Sequence, residues 1–121
     1  MIAALLESSL LRELCEQATA LSLDALIEVH SPAELYAALG AGAKLVGIKN
    51  RDLKTFEVSL VTTETLAPLL PPGAQAVCES GIDTVEQIRR VENLGIHVFL
   101  IGEALMRAAQ PGKKLQQLLE K

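Results

Sequence analysis

Three charged residues stand near the ends of three apolar runs: Glu28 in ALIEVH (25–30), Lys49 in LVGIKN (45–50) and Glu79 in QAVCES (75–80). Two carboxyl groups flanking an ammonium can move a proton or stabilise a cation that forms between them. A second chemical signal lies next to the first. ESGI (79–82) and IGEALM (101–106) each place a glycine where an apolar run stops and a helical pattern begins. Backbone N–H groups left free in such turns cradle an anion such as phosphate. The competing reading of the charged row is a self-neutralising cluster, since buried charges persist when paired. The two glycine turns beside the row favour a site.

The elements that must position these residues follow from hydrophobic spacing. Residues 8 to 21 place Leu10, Leu11, Leu14, Ala18 and Leu21 at helical intervals. The runs 25–30, 44–50, 74–80 and 97–103 read as strands. Between them, Ser31, Pro32 and Glu34 predict a capped helix that ends at Gly40 or Gly42, and Thr62 or Thr63 opens a short helix that stops near Pro68 to Pro72. Asp83 and Glu86 cap another helix that ends at Gly95, and a terminal helix is interrupted around Pro111 and Gly112. SPAEL…LGAGAKLVGI faintly echoes DTVEQI…LGIHVFLIG. Such alternation predicts an α/β fold with about four parallel strands and right-handed crossovers, in one domain over residues 1–121.

Side chains alternate across a strand. Glu28, Lys49 and Glu79 fall on one parity, with His30, Gly47 and Val77, while Ile27, Val29, Val46, Ile48, Ala76, Cys78, Phe99 and Ile101 form an aliphatic face for the helices. Neighbouring strands lie about 4.8 Å apart, so Lys49 stands between the two carboxyls at the carboxyl edge of the sheet. Parallel α/β folds bind their ligands at that edge, and many barrels hold phosphate after their last two strands.

Composition narrows the function classes. Eleven Lys plus Arg against fifteen Asp plus Glu give a net charge of −4, and Tyr36, Phe56 and Phe99 are the whole aromatic complement. No nucleic-acid partner is expected, because basic residues are scattered and base-stacking platforms are absent. Cys15 and Cys78 show no metal-ligand spacing, so no metal is expected and both read as reduced core thiols of a cytoplasmic protein. No apolar stretch is long enough to span a bilayer, and MIAALLESSLLRE lacks the features of a signal peptide.

LIEVHSPAEL, VGIKNRDLKTFEVSL, CESGIDT and FLIGEALMR together resemble the carboxyl-terminal half of the indole-3-glycerol-phosphate synthases, tryptophan-pathway (βα)₈ barrels. The resemblance implies half of a TIM barrel, running from the end of the fourth barrel strand (Met1 to Leu6) to the eighth helix. It implies ring closure of a carboxyphenylamino-deoxyribulose phosphate to indole-3-glycerol phosphate, with loss of carbon dioxide and water and with no cofactor. It matches Glu28 to a carboxylate acting as general base or cation stabiliser, and Glu79 and Ser80 to substrate-contacting active-site residues. Arg51, beside Asn50 in the NRDL motif, corresponds to a positioning arginine, and Asn50 is taken with it as substrate-binding. Gly81, Gly102 and Glu103 correspond to positions whose backbone amides hold the phosphate.

Lys49 departs from the family pattern, which has Asn there, and so becomes a third catalytic candidate beside Glu28 and Glu79. The family's catalytic lysines belong to the first and third barrel strands, for which these 121 residues hold no counterpart. The chain is therefore expected to be inactive alone, although a sugar phosphate or phosphate remains the expected ligand. A whole barrel needs roughly 250 residues, so the raw sheet edges and uncovered inner face predict a homodimer or a complementing amino-terminal half-barrel. The alternative function is a non-catalytic phosphate-binding half-barrel that homodimerises. Among the remaining residues, His30 is expected to be a hydrogen-bonded structural histidine and His97 to lie at the opposite, stability face. Asp52 is expected to hold Arg51 or its loop, Tyr36 and Met106 to pack, and Lys54, Lys113 and Lys114 to be solvated.

Overall fold

The computed structural model describes residues 1–120. The chain begins with Ile2 in a single parallel bridge to Glu28, followed by a 3₁₀ turn at Ala3–Leu5. Helix α1 (Ser8–Ala20) leads to strand β1 (Leu26–Val29), helix α2 (Pro32–Gly40) and strand β2 (Leu45–Lys49). Helix α3 (Val61–Leu66), strand β3 (Gln75–Glu79), helix α4 (Val85–Glu92) and strand β4 (Val98–Leu100) continue the alternation, and helices α5 (Glu103–Arg107) and α6 (Pro111–Leu119) close it. The strands lie in the order β1-β2-β3-β4, all pairs parallel. The predicted alternation of strand and helix is the architecture observed, and the interruption near Pro111 separates two helices.

Local chemistry explains most boundaries. Ser31 caps α2 by accepting from the Glu34 amide at 3.2 Å, with Pro32 at the first helical position. Helix α4 is capped by Thr84, not by the expected Asp83: the Thr84 hydroxyl accepts from the Gln87 amide, and the Gln87 side chain accepts from the Asp83 and Thr84 amides at 2.7 and 2.9 Å. A glutamine three residues after a threonine completes that capping box, which leaves Asp83 free for another partner. Helix α3 starts at Val61, one or two residues before the expected threonines, because Thr63 is drawn inward by Asn50.

The helix-facing side of the sheet forms the core. Ile27, Val29, Val46, Ile48 and Cys78 are fully buried and pack with Leu11, Leu35, Leu66 and Val91 from the helices. The other side is open toward β4, where Leu100 is 54% exposed. Tyr36 and Met106, expected to pack, are exposed at 57% and 83%. Helical spacing places them on a face but does not say whether another element covers it.

Candidate functional site

The strand register sets the geometry of the charged row. Glu28 is level with Gly47, and Lys49 is level with Glu79, so the two carboxyl groups start two residues apart along the sheet. Gly47 lets them meet. A Cβ at that position would lie 2.3 Å from Glu79 Oε1 and 2.8 Å from its Cδ, so the Glu79 side chain lies down across the space that a larger residue would fill. Lys49 Nζ stands 3.6 Å from Glu28 Oε2, which is an ion pair too long for a hydrogen bond. Glu28 Oε2 and Glu79 Oε1 are both buried, and among the described residues no N–H or hydroxyl donor reaches either of them.

Glu79 is the most perturbed group in the row. Only 3% exposed, it is pushed up from 4.5 to about 7, first by burial and then by the charge and hydrogen bonding of Glu28, with Lys49 and the amino terminus opposing. A carboxyl in that range is present in both protonation states at neutral pH and can give up or take a proton, which is what general acid–base chemistry requires.

Beside the row lies an open cleft of about 590 Å³ lined by Arg51, Ser80, Gly81, Gly102, Glu103, Arg107 and Lys114 among others. Both predicted glycine turns therefore face one cleft. Ser80 and Gly81 adopt consecutive positive φ angles of 65° and 78°, which turns the chain sharply as it leaves β3. An added Cβ on Gly81 would come within 3.0 Å of Val58 Cγ1. Gly102 is the residue before α5, and its carbonyl accepts from the Met106 amide at 2.9 Å.

Asn50 has a different role from the expected substrate contact. Its parity turns it to the helix side, where it is 1% exposed. Its amide donates to the Glu79 carbonyl at 3.2 Å, the Ser80 carbonyl at 3.0 Å and Cys78 Sγ at 3.3 Å, and its side-chain oxygen accepts from the Thr63 hydroxyl at 2.7 Å and the Thr63 amide at 3.3 Å. With every polar atom engaged, Asn50 braces the Ser80–Gly81 turn from behind and presents nothing to the opening.

Arg51 reaches the cleft, where it donates to the Phe56 carbonyl at 3.2 Å and pairs with the Glu103 carboxylate. Glu103 also forms an ion pair with Arg107, at 2.7 Å. Lys114, expected in solvent, pairs with Asp83 at 3.1 Å. The sequence reading missed Arg107, Lys114 and Asp83 as members of the cleft; the one available signal was Arg107 one helical turn after Glu103. His30 and Asp52 secure the loop after β2. The His30 Nδ1 lies 2.8 Å from the Lys49 carbonyl, which can only accept, so Nδ1 donates, and Nε2 stands 3.5 Å from Asp52. Asp52 accepts from the Lys54 and Thr55 amides at 2.7 and 3.0 Å, and these bonds hold its carboxyl below the usual range. Cys15 and Cys78 are buried free thiols pushed up by burial. Among the described residues no cluster of His, Cys, Asp and Glu could hold a metal, and no helix is long and apolar enough to cross a membrane.

The arrangement has close relatives. Its sequence is 49% identical over 118 residues to the indole-3-glycerol phosphate synthase of Chromobacterium violaceum, covering 98% of this chain and 44% of that protein. It is 42% identical over 119 residues to the same-named protein of Dehalococcoides mccartyi, covering 98% of this chain and 46% of the relative. The chain thus spans about half the length of the curated relatives it matches. Among solved structures, native KDPGal superposes with a TM-score of 0.65 at 22% identity over 93% of this chain and 51% of its own. The Amycolatopsis orientalis BexX/CysO complex gives 0.62 at 19%, over 93% and 50%. At these identities the structural likeness shows the fold, a half of a TIM-type α/β barrel. The family model described as indole-3-glycerol phosphate synthase matches residues 1–118, and the chain belongs to that family.

Proposed function

We propose that this chain carries the phosphate-holding and proton-transferring half of an indole-3-glycerol phosphate synthase site in tryptophan biosynthesis. The reaction closes a carboxyphenylamino-deoxyribulose phosphate to indole-3-glycerol phosphate and releases carbon dioxide and water. One observation carries the reading: a buried carboxyl titrating near 7 lies against a second carboxyl and Lys49, at the strand ends beside a cleft lined by arginines and two glycine turns. An oxygen that leaves as water must first gain a proton, and Glu79 is the group in the row suited to supply it at neutral pH. Glu28 and Lys49 are placed to balance charge as the intermediate forms. The amides of the Ser80–Gly81 turn and of Gly102 and Glu103, with Arg51, hold the phosphate in this reading. The free buried thiols accord with a reducing cytoplasm.

The 121 residues alone are proposed to be inactive, with turnover restored by an amino-terminal half-barrel that brings the remaining strands. The test mixes this chain with the amino-terminal half of the Chromobacterium violaceum relative and follows indole-glycerol phosphate fluorescence. Turnover that appears only in the mixture, and that falls by about 10² or more with Glu79→Gln, supports the reading. A stable mixed complex without turnover overturns it.

A second reading is favoured by the open inner face, with Leu100 54% exposed and β1 and β4 at the sheet edges. Two copies of this chain would cover both edges and form a non-catalytic phosphate-binding homodimer. A light-scattering mass equal to one chain at micromolar concentration overturns that reading.

A further inference from the structure

The cleft already contains an anion of its own. Arg107 forms an ion pair with Glu103 Oε1 at 2.7 Å, and Arg51 pairs with Glu103 Oε2. Each carboxylate oxygen thus has its own guanidinium, one from the loop after β2 and one from α5. Two guanidiniums would address two oxygens of a phosphate in the same way. The Glu103 side chain is half exposed, so it can swing into water without entering an apolar region. Lys114 and Asp83 repeat the pattern across the same cleft, with the Asp83 side chain 67% exposed.

We propose that Glu103 is a built-in competitor for the phosphate: its carboxylate occupies Arg51 and Arg107 while the cleft is empty, and an incoming phosphomonoester dianion exchanges with it. This rests on the reading of the cleft as the phosphate site and adds a specificity function for one of its own side chains. Exposed carboxylate–arginine pairs are weak, so a ligand with two charges and three oxygens displaces the carboxylate, whereas a singly charged ligand such as acetate competes poorly. Glu103 then selects for dianions and sets the concentration at which the cleft fills. The interpretation to be excluded is a simple pair one helical turn apart that only supports α5.

The test is calorimetric titration of the 121-residue chain with inorganic phosphate and, separately, with acetate, for the wild type, Glu103→Gln and Glu103→Ala. Removing the competing charge should tighten phosphate binding by about three- to tenfold in both variants and narrow the preference for phosphate over acetate. In the wild type, the carboxyl carbon resonance of Glu103 should move toward that of a free glutamate as phosphate saturates. If the wild type binds phosphate and the variants bind it equally or more weakly, Glu103 is no competitor and the inference fails. A lowered Tm with unchanged phosphate affinity also overturns the inference and identifies a structural helix pair. If neither the wild type nor the variants bind phosphate at tens of millimolar concentration, the phosphate reading of the cleft itself fails.

Discussion

Replacing Glu79 by glutamine should change how the stability of the chain depends on pH. The Glu79 carboxyl is pushed up from 4.5 to about 7, and each pH unit of such displacement corresponds to about 1.36 kcal/mol. The difference between the two protonation states in the folded chain is therefore about 3 kcal/mol. Its sign follows from the direction. A group whose proton is held more tightly in the folded state stabilises fully below its unfolded value, near 4.5, and that stability is lost as the pH rises through about 7. Glutamine keeps nearly the same volume and has no proton to lose. The unfolding free energy of Glu79→Gln minus that of the wild type should then grow by about 3 kcal/mol between pH 4.5 and 8, most of it by pH 7. Urea unfolding at matched chain concentration and several pH values measures this difference, in which titrating groups away from Glu79 cancel. A difference that stays flat within about 0.5 kcal/mol across the range would show that the carboxyl ionises freely. The proton-transfer role proposed for it would then lose its basis.

Two further substitutions probe the parts that hold the site together. Gly47→Ala puts a methyl group where Glu79 Oε1 now lies, so the carboxyl must swing out, and its titration midpoint, followed by the carboxyl carbon resonance, should fall from about 7 toward 4.5. A midpoint that stays put would mean that the glycine is not what admits the carboxyl. Asn50→Ala strands the buried Thr63 hydroxyl and amide and removes the bond to the part-buried Ser80 carbonyl, and urea unfolding should show a loss of about 2–4 kcal/mol. A loss below about 1 kcal/mol would argue that the amide does not brace the turn.

The parts of this fold legible in the sequence are those governed by local periodicity. Side-chain alternation is a property of each strand taken singly, so the shared parity of Glu28, Lys49 and Glu79 and the aliphatic back of the sheet could be read without a structure. The same rule put Asn50 on the helix side, and its assignment to the substrate came from its neighbours in the NRDL motif, not from parity. The Arg51–Glu103 pair joins residues far apart in the chain, and the Lys114–Asp83 pair joins the first turn of α6 to the residue before the cap of α4; neither leaves a periodic trace. The choice of Thr84 over Asp83 as cap turned on one residue of phase, which helix propensity alone does not resolve. The exposure of Tyr36 and Met106 depends on what lies outside these strands, a question that spacing along one chain does not address.

The order of the strands in the sheet equals their order in the chain. Leu26 meets Leu45, Leu45 meets Gln75 and Val77 meets Val98, so each pairing closes a loop of only about twenty to thirty residues and none waits on a distant segment. Folding can therefore advance unit by unit as the polypeptide leaves the ribosome, each new strand templated on the one before it.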